Sequence, residues 1–262
     1  MLWNLEFLDD ARLFGGVRVL IGSGRFRFVF ANSNERSTAP LAAILTDISA
    51  RVGVSPDVSE IPGDLEVGGY AISRQISARG AIEPLQNAYF FDAVESDNGL
   101  KFIMRGGDQV ATIIEDDMMA GIDQPADGDP ATVVRGQEVE LPQSVSVSYA
   151  DWNSDYQISS EMVQRQVTPS VNRVATELPI AMSADQAARI ADVWMYQAWS
   201  ERTQLAFKVG AKHMKLEPTD VIEVQTAGQT FKARITGKTD DRGVIDISAV
   251  VDSGRYTSNA TG

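Results

Sequence analysis

Apolar positions recur along this chain with two different periods, and the changes from one to the other predict its elements. In residues 25–30, Phe26, Phe28 and Phe30 alternate with Arg25 and Arg27. Period two is the spacing of a strand with one apolar and one charged face. Residues 17–30 therefore read mostly as strand around a Gly22-Ser23-Gly24 turn. The period lengthens at Leu41, Ile44, Leu45, Ile48 and Val52, which form one stripe of an α-helix over residues 38–52. Thr38 is placed as its N-cap, Pro40 in its first turn and Gly53 at the left-handed position after its end.

Residues 69–76 predict a short strand. Ser77 then caps a helix toward Tyr89, with Ile82, Leu85 and Tyr89 on one face. Pro84 inside it predicts a kink or a late start, because it cannot donate to Gly80. Ser96-Asp97-Asn98-Gly99 between β-rich runs at 90–95 and 100–105 predicts a hairpin. Residues 109–114 read as one more strand. The Gly-, Pro- and Asp-rich stretch 121–132 is the best internal boundary.

In residues 144–149, Val145, Val147 and Tyr149 alternate with three serines, which predicts a half-buried antiparallel strand. A second long strand follows over 156–167. Ser183 and Gln186 form a capping box before a helix over 183–202, with Ala187, Ile190, Ala191, Trp194 and Ala198 as its buried stripe. Trp199 and Met195 fall outside that stripe, and a helix buried on two sides is favoured over a partner contact. Strands are predicted at 204–209, 221–225, 230–236 and 244–251, and the polar tail from Asp252 is expected to fray. The fold class is α+β, mainly β, with about three helices packed on antiparallel sheets.

Charge and composition narrow the function. The chain has 262 residues, 23 Lys plus Arg against 36 Asp plus Glu, and a net charge of −13. That balance disfavours a nucleic-acid groove or an anionic membrane surface. It has no cysteine and a single histidine, His213. Thiolate metal sites, disulfides and a cysteine nucleophile are excluded, and so is a multi-histidine metal site within one chain. No run approaches the ~18 apolar residues of a membrane span, and residues 1–16 show no signal-peptide pattern.

Candidate chemistry is sparse. Gly22-Ser23-Gly24 lacks a third glycine and runs into strand, so a turn is favoured over a dinucleotide fingerprint. His213, beside Lys212 and Lys215, reads as a solvated loop residue rather than a triad base. Glu115-Asp116-Asp117 and the acids Asp151 and Asp155 are dense enough to raise a glycosidase reading, which needs two carboxyls across a cleft. Asp123, Asp127 and Asp129 have calcium-like character without EF-hand spacing, and a solvated acidic loop is favoured. The sequon at Asn259 lies in the tail. Residues alone thus give no catalytic, cofactor-binding or metal residue and favour a structural or interaction protein.

Three segments carry a resemblance. The first runs Gly69-Tyr70-Ala71-Ile72-Ser73-Arg74-Gln75, Ser77-Ala78-Arg79, Ile82-Glu83-Pro84-Leu85 and Phe91-Asp92-Ala93-Val94-Glu95-Ser96. The second is Glu140-Leu141-Pro142, Val145-Ser146-Val147-Ser148-Tyr149 and Asp155-Tyr156. The third is Leu178-Pro179, Ala184-Asp185-Gln186-Ala187-Ala188-Arg189-Ile190-Ala191, Trp199 and Leu216-Glu217-Pro218-Thr219-Asp220-Val221. In this order, over residues 38–250, they resemble the phage tail hub family, which includes the large baseplate protein of gene transfer agents and siphophage tail-tip proteins. Thr219 stands where the resemblance leads one to expect glycine.

The resemblance implies a non-enzymatic virion protein assembled in the host cytoplasm. It implies a baseplate hub built of β-barrel-like domains, usually a homotrimer, that closes the tail tube. Its implied partners are the distal tail protein, the end of the tape-measure protein and fibre or tip proteins, with DNA passing transiently through the lumen during ejection. No cofactor and no catalytic residue carries over. The alternative is a glycan-binding or wall-degrading tail-tip component. The expected organisation is a strand-rich extension over 1–36, an α/β hub subdomain over 37–125 and a barrel-like subdomain over 133–262 containing the helix at 183–202. Larger family members carry further regions on both sides, so a compact version or part of a longer polypeptide is expected.

Overall fold

The computed structural model describes residues 38–96, 99–118 and 130–256, together with the backbone of three short strands before them. These are β1 (Leu13–Phe14), β2 (Val17–Gly22) and β3 (Arg25–Phe30), an antiparallel sheet in which Gly22 pairs with Arg25. The expected Asp123–Asp129 site, most of the 121–132 boundary and the Asn259 sequon lie outside the described residues.

The next elements are β4 (Ala39–Pro40), α1 (Leu41–Ala50), β5 (Glu66–Val67) and α2 (Ala78–Tyr89). The first helix starts three residues later than expected. Ala39 pairs with Val67, the Thr38 hydroxyl donates to the Glu66 carboxylate, and the first helical N–H, that of Leu41, goes to the Leu65 carbonyl at 2.8 Å. Thr38 is therefore spent on a strand pair and Pro40 occupies the cap position. Gly53 is left-handed, at φ 75°, as expected.

Residues 69–76 form a single bridge, Tyr70 to Ile180, rather than a strand. The helix α2 begins where Ser77 predicts, its hydroxyl accepting from the Gly80 N–H at 3.2 Å, and it runs through Pro84 without starting late. It ends on Phe90 at φ 55°, a left-handed position normally left to glycine.

The hairpin of β6 (Phe91–Ser96) and β7 (Gly99–Met104) follows, with Ser96 opposite Gly99. Then come β8 (Gln109–Ile113), β9 (Ala131–Arg135), β10 (Pro142–Asp151), β11 (Gln157–Gln164) and β12 (Asn172–Met182). The chain continues through α3 (Ala184–Ser200), β13 (Thr203–Gly210), β14 (Val221–Thr226), β15 (Gln229–Asp241) and β16 (Val244–Val251). At α3 both halves of the capping box form: the Ser183 hydroxyl accepts from the Gln186 N–H at 3.2 Å and Gln186 Oε1 from the Ser183 N–H at 3.1 Å.

Two cores organise these elements. In the first, α3 packs on a sheet of order β11-β10-β12, and α1, α2 and the β6–β7 hairpin complete the interior around Leu41, Leu85, Phe91, Phe102, Val147 and Ile180. The strand β10 was expected to be antiparallel. It is antiparallel to β11 but parallel to β12, because the chain leaves β11 by a long connection and returns on the far side. Val145, Val147 and Tyr149 do face inward.

The second core belongs to a six-stranded sheet of order β8-β14-β15-β16-β13-β9. Ile113, Leu205, Phe207, Val209, Ile222, Val224, Ile235, Ile245 and Ile247 are buried against one another, with no α-helix among the cluster's members. A sheet that buries one face against itself must curl, which makes this unit barrel-like. The class is thus α+β and mainly β, with three α-helices among the described residues, as the periodicity predicts.

The tail does not fray at Asp252. Asp252 and Tyr256 are buried, and Tyr256 joins the first core beside Phe90, at a ring-centroid distance of 6.2 Å. A single aromatic in a polar stretch carries no period, so its burial is invisible to pattern reading. Among the described residues no helix is long and apolar enough to cross a membrane.

Candidate interaction surfaces

Glu115, Asp117 and Asp151, candidates for acid chemistry, hold turns and loops in place. Glu115, Asp116 and Asp117 form a short 3-10 turn. Glu115 Oε1 accepts from the Ala227 N–H at 2.6 Å, and Asp117 Oδ1 accepts from Lys212 Nζ at 2.8 Å. The bond from Lys212 holds the Asp117 carboxyl below the usual carboxylate range. His213 is buried, with Nε2 3.6 Å from Asp117 Oδ2. The solvated reading of His213 is therefore corrected: its side chain is buried, and its Nε2 has no hydrogen-bond partner among the described residues.

Asp151 sits at the end of β10 and accepts from the Asn153 N–H and the Ser154 hydroxyl, both at 2.8 Å, shaping the turn into β11. Asp220 accepts from the Glu217 N–H at 2.8 Å, and burial raises its carboxyl above the ordinary value. A cavity of ≈ 220 Å³ on the outer face of β9, β13 and β16 is lined by residues such as Thr132, Gln204, Ala206 and Ser248, none of which ionises. It does not offer the two carboxyls that glycoside hydrolysis needs. Among the described residues no group of three metal-ligating side chains comes together.

What the fold does assemble is a half-buried charge cluster around the buried Arg234, where the two cores meet. Arg234 on β15 donates from Nη2 to Glu201 Oε1 at 2.7 Å and from Nη1 to Asp92 Oδ2 at 3.3 Å. Arg105 grips the same Asp92 with two bonds, at 3.0 and 2.7 Å. Burial would lower the Arg234 pKa, but Asp92 and Glu201 outweigh it and hold the guanidinium above its ordinary value. The three elements involved come from β6, the end of α3 and the barrel, so the cluster fixes one core against the other. Asp92 and Arg234 carry no sequence signal of their pairing, since a charged residue in a strand ordinarily reads as solvent-facing.

Among the described residues, two surfaces of the first core are left uncovered. The face of the β11-β10-β12 sheet opposite α3 presents Ser146, Ser148, Ala150 and Ala175, flanked by exposed Ile158 and Met162. Ser146 and Ser160 bridge it by a hydroxyl bond of 2.8 Å. At the end of the same sheet lies the second surface, around Trp199. Its indole donates to the Pro142 carbonyl at 3.1 Å, and the Arg165 and Arg202 guanidinium carbons stand 4.0 and 5.4 Å from its ring centroid. Met195 is fully inside, so α3 is buried on two sides as favoured.

A family model described as "Putative phage tail protein" matches residues 77–237, more than half of the chain. The chain belongs to this family. It is a phage tail protein, a structural component of the virion tail. A protein in the structure "Virion of native gene transfer agent (GTA) particle" matches 87% of the chain at 25% identity and a TM-score of 0.77. The chain spans 52% of that protein's length. The crystal structure of the tail protein from Neisseria meningitidis MC58 matches 91% of this chain and 81% of its own, at 12% identity and TM-score 0.58. The 43 kDa tail protein of prophage MuSo2 from Shewanella oneidensis matches 81% and 65%, at 13% identity and TM-score 0.52. These two share the fold of this phage tail protein. A comparison with curated proteins finds no match.

Proposed function

We propose that this tail protein is a baseplate hub subunit. Three copies would close the tail tube, joining the distal tail ring and the end of the tape measure to tip or fibre proteins. The supporting observation is the likeness over 87% of the chain to a protein of a gene transfer agent virion. The architecture fits the role. A barrel-like sheet bolted by Arg234 to a helix-bearing unit gives a rigid block, while uncovered faces on that unit are left for neighbours. The net charge of −13 per copy would line a channel with a field that repels DNA and keeps it from sticking in transit.

The test is placement in the particle. Particles made without this chain should carry tubes with open or missing tips and should fail to deliver DNA. A map of intact particles should show three copies at the tip. Normal tips and delivery in its absence, or its location along the tube, would overturn the hub reading.

A further inference from the structure

The six-stranded sheet ends at β9, and among the described residues no strand pairs with its outer edge. The ladder fixes which backbone groups that edge offers. Just past β9 the Gly136 N–H donates to the Arg202 carbonyl at 2.8 Å, and Arg135 stands opposite Thr203 in the same antiparallel register. Hydrogen-bonded and non-hydrogen-bonded pairs alternate along such a ladder. Val134 with Gln204 and Thr132 with Ala206 are therefore the bonded pairs. The N–H and C=O groups of Ala131, Val133 and Arg135 point away from β13. Nothing packs over them from above or below: the last four residues of β9 are all exposed, Val133 at 41% and Val134 at 54%.

Free edges are normally guarded by charge, proline or a covering element. The other long edges of this chain follow that rule. The strand β3 carries Arg25 and Arg27, β11 carries Glu161, and β12 carries Arg173, Glu177 and Pro179. The strand β8 is bounded by Asp108 and Glu115. In β9 the one charge is Arg135, its last residue. Beside this edge lies the ≈ 220 Å³ cavity, a neutral trough to which Thr132 and Val134 contribute with Gln204, Ala206 and Ser248. Nucleic acid and glycan do not repeat N–H and C=O groups at strand spacing. An extended polypeptide does, and its alternate side chains would enter the trough. We infer that β9 is the docking edge for an extended segment of a different tail protein, which adds a strand to the barrel-like sheet. That segment is uncharged along the five positions of β9 and has small or β-branched side chains where it faces the trough. A second copy would bring the charges of β3, β11 or β12 to a neutral site; its own β9 is the case that the experiment separates.

The experiment has a readout on the free chain and one on the particle. In the isolated chain, amide exchange followed by NMR should be fast at Val133 and Arg135 and at least ~100-fold slower at Val134 and Gly136. Protection of Val133 there would mean that the chain covers its own edge, and the inference would fall. In assembled particles, a photoreactive benzoylphenylalanine in place of Val134 should cross-link to one segment of a different tail protein, read by mass spectrometry. Val133→Pro removes an N–H that no β13 carbonyl uses, so the chain should fold and melt as wild type. Its incorporation into particles should drop roughly tenfold or more, the scale of one backbone bond left unmade. Val134→Lys, at an exposed position, sets a charge in the trough and should lower incorporation in the same way even where proline strains the strand. Cross-links to the chain's own residues or to a second copy, no cross-link at all, or full incorporation of both variants would overturn the inference. The cross-link reports a neighbour wherever the chain sits in the tail, so the hub reading stands or falls separately on the particle map.

Discussion

Tyr256 closes over Gly106, its Cδ2 standing 2.7 Å from where a side-chain carbon on that glycine would be. Gly106 is also left-handed, at φ 80°. The chain's last described residue is thus held by a position that tolerates no side chain, directly after the β6–β7 hairpin. Tyr256→Ala should cost about 3 kcal/mol, the scale of removing a buried aromatic, and Gly106→Ala should also destabilise strongly, since it adds strain to the clash. Urea unfolding monitored by tryptophan fluorescence checks both. Wild-type midpoints in either variant would show that the tail is not packed as described.

Removing the Arg234 guanidinium leaves Asp92 and Glu201 facing each other's side of the junction with one cation fewer. Arg234→Met should lose about 2 to 3 kcal/mol, the scale of hydrogen bonds to charged groups, because the carboxylates it leaves are part-exposed and Asp92 keeps Arg105. The triple replacement of Arg234, Asp92 and Glu201 by apolar residues of similar size should recover much of that loss. Unfolding of the single variant should become less cooperative, with the barrel and the helical unit melting apart, which differential scanning calorimetry would resolve.

Thr219 is a β-branched residue at φ 82°, and its buried hydroxyl has no hydrogen-bond partner. Both features argue for glycine, in line with the expectation at this turn. Thr219→Gly should stabilise the protein by about 1 kcal/mol, the lower end of the left-handed penalty. Ala227 and Gly228, at φ 50° and 69°, make the two-residue turn between Thr226 and Gln229. Asn is the preferred first residue of such a turn, so Ala227→Asn should raise the melting temperature as well. A lower melting temperature in both would contradict these backbone assignments.

Asp220 gives a pH dependence with a definite sign. Burial raises its carboxyl above the ordinary 3.8, so the fold favours the protonated form. Its contribution is favourable below the unfolded value and is lost as pH rises through the folded one. At neutral pH the charge is a cost. Asp220→Asn keeps an acceptor for the Glu217 N–H and should stabilise the protein at neutral pH more than at acidic pH. Equal or opposite differences at the two pH values, measured from urea midpoints, would sink this assignment.

Local chemistry was legible from residues alone. Ser183 with Gln186, Ser77 with Gly80, the run of Val145, Val147 and Tyr149, and the four barrel strands from 203 to 251 each announce themselves within a few positions. A cap needs only a hydroxyl near free N–H groups, and a strand face needs only a period of two. Where expectation failed, a distant partner had intervened. Thr38 was taken from its helix by Glu66, 28 residues away, and residues 69–76 found only Ile180 to pair with. His213 is buried with its Nε2 3.6 Å from Asp117, across 96 positions of chain.

The sequence by itself determined the class, the three helices, most strands and their hairpins, and the likeness to phage tail proteins, because these depend on short-range periodicity, capping and order of motifs. The tertiary structure alone decided that β10 runs parallel to β12, that Arg234 meets Asp92 and Glu201, and that Tyr256 seals the first core. Each of those joins residues far apart in the chain, and such a meeting is settled by how sheets and helices pack, a relation that no local pattern encodes.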